Sequence, residues 1–193
     1  MIITALYYTI PNQVSSKMQK EIALLAADDA VANIGVTESS IDNFGPAIKK
    51  YLASVNLEEG FAWCCGFVKY RFMNAAEKLD LTLSKEFLKL DGWSPSWKKY
   101  AEKHNIWTSL EEAKANPSIV KKGHVILFYS AEKKRIYHAG IVISSNESGV
   151  VTVEGNTGPG PGVTANGDGV YLKRRSWTSI GKLGGFLRTY WLF

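Results

Sequence analysis

Cysteine and histidine are scarce in this chain of 193 residues, which holds two and three of them. The two cysteines, Cys64 and Cys65, are neighbours. Adjacent cysteines almost never bridge, because closing the ring strains the peptide between them. A disulfide-stapled scaffold is therefore excluded, and the lack of CxxC spacing argues against a structural zinc site. No apolar run reaches the roughly 18 residues of a membrane-spanning helix, and no internal repeat is present. The N-terminal stretch MIITALYYTIPNQ lacks a basic leader region and is interrupted by Thr4, Thr9 and Pro11, so no secretory signal is expected. What remains is ordinary globular composition, 46% hydrophobic and 21% charged, which excludes long disorder, collagen and coiled coil. The length suits one domain over residues 1–193.

Charge is unevenly placed within the formal +5. Residues 1–120 carry 13 Lys/Arg against 14 Asp/Glu, whereas residues 121–193 carry 10 against 4. A basic C-terminal half favours an anionic partner, or is simply a solvated basic surface.

Periodicity divides the chain at the same place. Ser15–Ser16 can cap a helix bearing Met18, Ile22 and Leu25 that ends near Asn33–Gly35. Pro46 suits the first turn of a second helix with Ile48, Leu52 and Val55 on one face. A third helix is expected from Trp63–Cys64 to about Leu79, with Cys65, Val68, Phe72, Ala76 and Leu79 as its apolar stripe. Short helical pieces open at Ser94-Pro95 and at Ser109, the latter stopped by Asn116-Pro117. From residue 121 the period becomes that of strands: 123–129, 137–144, 150–154, 170–174 and 186–191, with turns at 133–134 and 146–149. The Gly/Pro-rich segment Gly158–Gly169 reads as a loop suited to the rim of a site. Residues 1–60 thus form a helical part and 61–193 a nucleophile helix, a connecting segment and a sheet. Helices first and an antiparallel sheet later is an α+β pattern.

A cysteine nucleophile needs a lowered thiol pKa, a base within reach and a group orienting that base. Cys64 lies at an expected helix start, where unpaired N–H groups favour a thiolate and can hold an oxyanion. Cys65 points about 100° away and fits the core stripe. His138 stands near a strand start. A hairpin turn centred near residue 147 places it roughly opposite Asn156 and diagonal to Glu154. Strand side chains alternate, so residues 154 and 156 share its face, and either can accept the imidazole N–H while the other ring nitrogen takes the thiol proton. His124 is the second candidate base. His104 sits in a Lys-rich, exposed helical segment. Trp63, Trp93, Trp97, Trp107 and Asp168 are candidates for the wall of a substrate groove, although tryptophan also serves as core.

These residues resemble a known family. Trp63-Cys64-Cys65-Gly66-Phe67-Val68 looks like the W-C-x-x-F-V nucleophile motif of CHAP-type amidohydrolases, in the wider NlpC/P60 papain-like superfamily. Gly45-Pro46, Tyr51-Leu52, Gly60 and Trp63 resemble the approach to it. Tyr137-His138-Ala139-Gly140-Ile141-Val142 resembles the family's H-x-G-I-V strand, Val153-Glu154-Gly155-Asn156-Thr157 its E-G-N-T strand end, and Asp168-Gly169-Val170-Tyr171 with Arg174 and Arg175 the strand that follows. The match runs in order from about residue 20 to 190. Gly123-His124 stands where the family often has Gly-Asp. Trp63 stands where some papain-like members place a glutamine for the oxyanion, so that role must fall to backbone N–H groups or another side chain.

The resemblance implies a papain-like α+β fold in which Cys64 is the nucleophile, His138 the base and Glu154 its orienting group, with Asn156 as a further polar member. It implies a cofactor-free, metal-free peptidoglycan hydrolase, an endopeptidase or amidase. The expected partner is peptidoglycan, with no nucleic acid and no membrane insertion. A monomer is expected, and an immunity or inhibitor protein is conceivable. Without a signal peptide, the setting would be a phage or prophage lysin or a secreted toxin, made in the cytoplasm and acting at the wall after lysis or dedicated secretion. The alternatives are a same-fold amidase or acyl transferase on a non-wall amide, and a non-catalytic wall-binding domain.

Overall fold

The computed structural model describes residues 16–163 and 166–191. The leader-like stretch considered above falls in residues 1–15 and lies outside them.

The helix α1 spans Ser16–Ala32 and buries Ile22 with Ala23, Ala26, Ala27 and Ala30. This stripe of small side chains lets it pack closely on α3. The helix α2, Pro46–Ser54, has Pro46 in its first turn, where the missing N–H costs nothing. The helix α3, Cys64–Lys78, buries ten of its fifteen residues, so it is covered on more than the single stripe its sequence suggests. Gly66 makes this possible. A Cβ there would lie 2.5 Å from the Tyr51 carbonyl oxygen, so α2 and α3 can cross only at glycine. Phe67 and Phe72 on α3 are fully buried, each contributing about 1.5–3 kcal/mol through area removed from water.

The connecting segment carries α4 (Lys85–Leu88), α5 (Ser94–Lys103) and α6 (Leu110–Ala115). The last is closed by a reciprocal cap between Ser109 and Glu112, which satisfies two otherwise free N–H groups. Between α5 and α6 lies β1, Trp107–Ser109, whose middle residue is buried between two half-buried ones.

The remaining strands are β2 (Val125–Ser130), β3 (Arg135–Asn146), β4 (Gly149–Thr157), β5 (Gly169–Ser176) and β6 (Gly185–Leu187). They form one antiparallel sheet in the order β1-β6-β2-β3-β4-β5. The expected strand over 186–191 stops at Leu187, and Thr189–Trp191 is a 3-10 turn. Val125, Leu127, Ala139, Ile141 and Val153 face α1, α3 and α5. Ile126, Phe128, Val142, Val150 and Phe186 form a second core with Leu110, Ala113, Trp177 and Ile180. The chain is α+β. No helix among the described residues is long and apolar enough to cross a membrane.

Candidate active site

The β3–β4 hairpin sets the site. Its turn pairs Asn146 with Gly149, and a bulge between Val142 and Ser144 shifts the register so that Ile141 faces Val153. Gly140 then lies against Glu154, and a Cβ on it would come 2.6 Å from the Glu154 Cγ. The glutamate side chain crosses the space this glycine leaves and reaches diagonally to His138.

His138 Nε2 and Glu154 Oε2 are 2.9 Å apart, and both side chains are fully buried. His138 Nδ1 is buried without a completed hydrogen bond, and it is the nitrogen left to face Cys64. Cys64 is the first residue of α3 and is 5% exposed. The His138 imidazole and the Ala139 N–H both act on its sulfur, favouring the thiolate. A thiol, an imidazole and a carboxylate thus adjoin one another in that order.

Glu154 is held from three sides. Arg175 on β5 grips it with both ends of its fork, Nε to Oε1 at 2.8 Å and Nη2 to Oε2 at 2.6 Å. Thr152 donates its hydroxyl to Oε1 at 2.6 Å. The remaining Arg175 amino group donates to the Pro161 carbonyl at 2.8 Å, and Lys173 Nζ donates to the carbonyls of Gly158 and Gly160. The loop after β4 is strapped to β5 by these two side chains. Both are buried, so part of the basic surplus of the C-terminal half is internal and never meets a partner.

The electrostatics follow from these contacts. Burial pushes the Glu154 carboxyl up, but the hydrogen bonds and charges of Arg175 and His138 prevail and hold it at about 2. Burial pushes His138 down, while Cys64 and Glu154 together raise it to about 9. The Cys64 thiol is lowered well below its ordinary value. The largest cause is a hydrogen bond from the Cys65 thiol, which outweighs burial and is helped by His138 and the Ala139 N–H. Cys65 is raised correspondingly. Both shifts favour a thiolate–imidazolium pair, the state a cysteine nucleophile requires.

Three expectations change here. Asn156 does not meet His138. Its backbone is left-handed, at φ 58°, and the β4–β5 register shifts between Glu154 and Thr157, so the alternation that would place 154 and 156 on one face is broken. The amide orientation satisfying both of its ends accepts the Trp63 N–H at 3.1 Å and donates to the Gly167 carbonyl at 3.0 Å. Asn156 therefore fixes the backbone at the entry of α3. Trp63 and Trp97 are fully buried, with their indole N–H groups on Glu38 and on the Asp91 carbonyl, and line no groove. Asp168 is exposed and accepts from the Tyr171 hydroxyl at 3.0 Å.

Trp93, by contrast, is 52% exposed. Trp107 is half-buried, with Lys98 over its ring at 5.1 Å. His124 is buried and held neutral, its pKa pushed down to about 4 chiefly by burial; its Nδ1 accepts the Lys121 N–H and its ring packs on Tyr190. His104 lies 2.8 Å from Glu86. Two participants escaped the sequence reading. Cys65 is core, as its pattern suggests, but its thiol also lowers the Cys64 pKa. Arg175 entered the sequence reading only as part of the strand resemblance, with no role at the site.

No protein-family profile, curated protein or solved structure matches the chain. Among the described residues no group of three His, Cys, Asp or Glu side chains is placed to hold a metal ion.

Proposed function

We propose that this chain is a papain-like cysteine hydrolase of the CHAP type that cleaves amide bonds of peptidoglycan. The observation carrying the chemistry is the line of Cys64, His138 and Glu154, with the glutamate anchored by Arg175. The preference for the wall rests on the ordered sequence motifs.

The Cys64 thiolate attacks the amide carbonyl. The resulting oxyanion lies at the N-terminus of α3, where the first-turn N–H groups have no side-chain cap and are free to donate to it. Imidazolium His138 protonates the leaving nitrogen as the C–N bond breaks, leaving an acyl-enzyme thioester and a neutral imidazole. That imidazole accepts a proton from water as the water attacks the thioester. The acid product leaves, and thiolate and imidazolium are restored. Glu154 stays ionised throughout, because its pKa of about 2 keeps it from competing for the proton.

The test is digestion of isolated sacculi followed by mass spectrometry of the soluble fragments. Wild-type protein should release peptides or trimmed muropeptides, and Cys64→Ala should release none. Unchanged sacculi alongside hydrolysis of a non-wall amide would move the assignment to an amidase of other substrates.

A further inference from the structure

Arg135 is ordered without an acid to order it. Arg71 pairs with Asp29 and Arg175 with Glu154. Arg135, at the first position of β3, has no carboxylate partner among the described residues. It is nonetheless fixed. One amino group donates to the Ile136 carbonyl at 3.0 Å, and the guanidinium lies over the Trp93 ring, 4.3 Å from its centroid. A guanidinium stacked in this way keeps its in-plane N–H edge available, with much of its rotamer entropy already spent.

The surroundings of that edge are not those of a random surface. Trp93 is one wall of a cleft of about 310 Å³, shared with Val55, Leu57, Phe61, Ala62 and Gly92. Phe61 and Trp93 are 56% and 52% exposed, an aromatic pair open to solvent. Ala62 stands two residues before the nucleophile. On the other side, Ser94 Oγ donates to the Ile136 carbonyl at 3.1 Å, which ties the Trp93 turn to the strand bearing His138. Arg135 is three residues from His138 along extended chain, about 10 Å. Lys133 and Lys134, exposed in the turn before it, add positive charge. Asp91 also borders the cleft, but its Oδ1 is taken by the Trp93 N–H and the Ser96 hydroxyl. Its charge keeps an anion out of the cleft floor and leaves Arg135 as the place for one.

We propose that Phe61, Trp93 and Arg135 form a substrate subsite beside Cys64 that takes a peptide residue with a free carboxylate: its apolar part lies in the aromatic cleft and its carboxylate on the Arg135 fork. This rests on reading Cys64 as an amide-cleaving nucleophile and specifies what that nucleophile cleaves. A neutral peptide lacks the group the fork is built to hold.

The test titrates full-length Cys64→Ala protein with a synthetic wall-stem peptide whose carboxylates are free, and with the same peptide amidated at every carboxylate. The free form should bind about tenfold tighter or more, as expected of a charge-assisted, fork-shaped contact. Adding Arg135→Ala should abolish the difference. Arg135→Lys should keep only part of it, because an ammonium neither stacks nor forks. In the active enzyme, Arg135→Ala should lower kcat/KM mostly through KM, with an unchanged melting curve. Equal binding of the two peptides, or a preference that survives Arg135→Ala, overturns the subsite. A carboxylate preference that depends on Arg135 in a protein that hydrolyses no amide would uphold the subsite while removing the catalytic reading.

Discussion

Replacing Glu154 with glutamine removes one charge and almost no volume, yet two partners lose what they lean on. Arg175 is 2% exposed and meets Glu154 with two of its nitrogens at 2.8 and 2.6 Å. An amide offers one acceptor where the carboxylate offers two, and it leaves a buried cation without an opposite charge. Breaking a buried pair from one side costs about 3–5 kcal/mol, a large share of the roughly 5–15 kcal/mol that holds a domain together. At about 2–4 °C per kcal/mol for a chain of this size, Glu154→Gln should melt about 6–20 °C below wild type in calorimetry at neutral pH. The paired substitution Glu154→Leu with Arg175→Met should recover much of that loss, since apolar replacement of a buried ion pair is often neutral or better. It should remain inactive, because His138 has lost the group that orients it. A Glu154→Gln melt within about 2 °C of wild type, with no gain in the double variant, would refute the claim that Arg175 depends on this carboxylate.

The pH profile follows from the same contacts. His138 is raised to about 9, so kcat/KM should fall on the alkaline side as the imidazolium is lost near that pH, and Glu154→Gln should move this limb to lower pH. Stability should follow both groups: Glu154's contribution is complete above its ordinary 4.5 and lost as pH falls toward about 2, whereas that of His138 is complete below 6.5 and lost as pH rises through about 9. Melting temperatures from pH 2 to 10 should therefore plateau between about 4.5 and 6.5 as far as these two groups are concerned. Removing the thiol donor with Cys65→Ala should raise the Cys64 pKa and slow its alkylation at mildly acid pH. Labelling of Cys64 at the wild-type rate there would show that Cys65 is core and nothing more.

The hairpin was legible to within one residue: the Asn146–Gly149 turn alone would set His138 opposite Thr157, and the bulge between Val142 and Ser144 restores the expected register. A turn centred near residue 147 predicts the diagonal of His138 and Glu154, and Gly140 lying against Glu154 agrees with it. The start of α3 at Cys64 was legible as well, from the helical stripe beyond it. Asn156 was misread because one left-handed residue cancels an alternation rule that local sequence gives no reason to suspend. The tryptophans divided for another reason. Trp63 and Trp97 are buried while Trp93 is half exposed, and that difference is set by which segments happen to cover them. Arg175 lies beyond the hairpin, and its reach back to Glu154 is a tertiary fact that no short-range period carries.

The order in which the catalytic line is synthesised has a consequence for the cell that makes it. Cys64 leaves the ribosome early, while Arg175, which fixes the carboxylate behind the base, follows more than a hundred residues later. At about 5–20 residues per second the interval is roughly 5–20 s. For about the first two thirds of it neither His138 nor Ala139 has been made, so the thiol lacks two of the groups that lower its pKa. The line is complete only when β5 closes on β4, so chains that stop short of β5 (Gly169–Ser176) should be chemically silent.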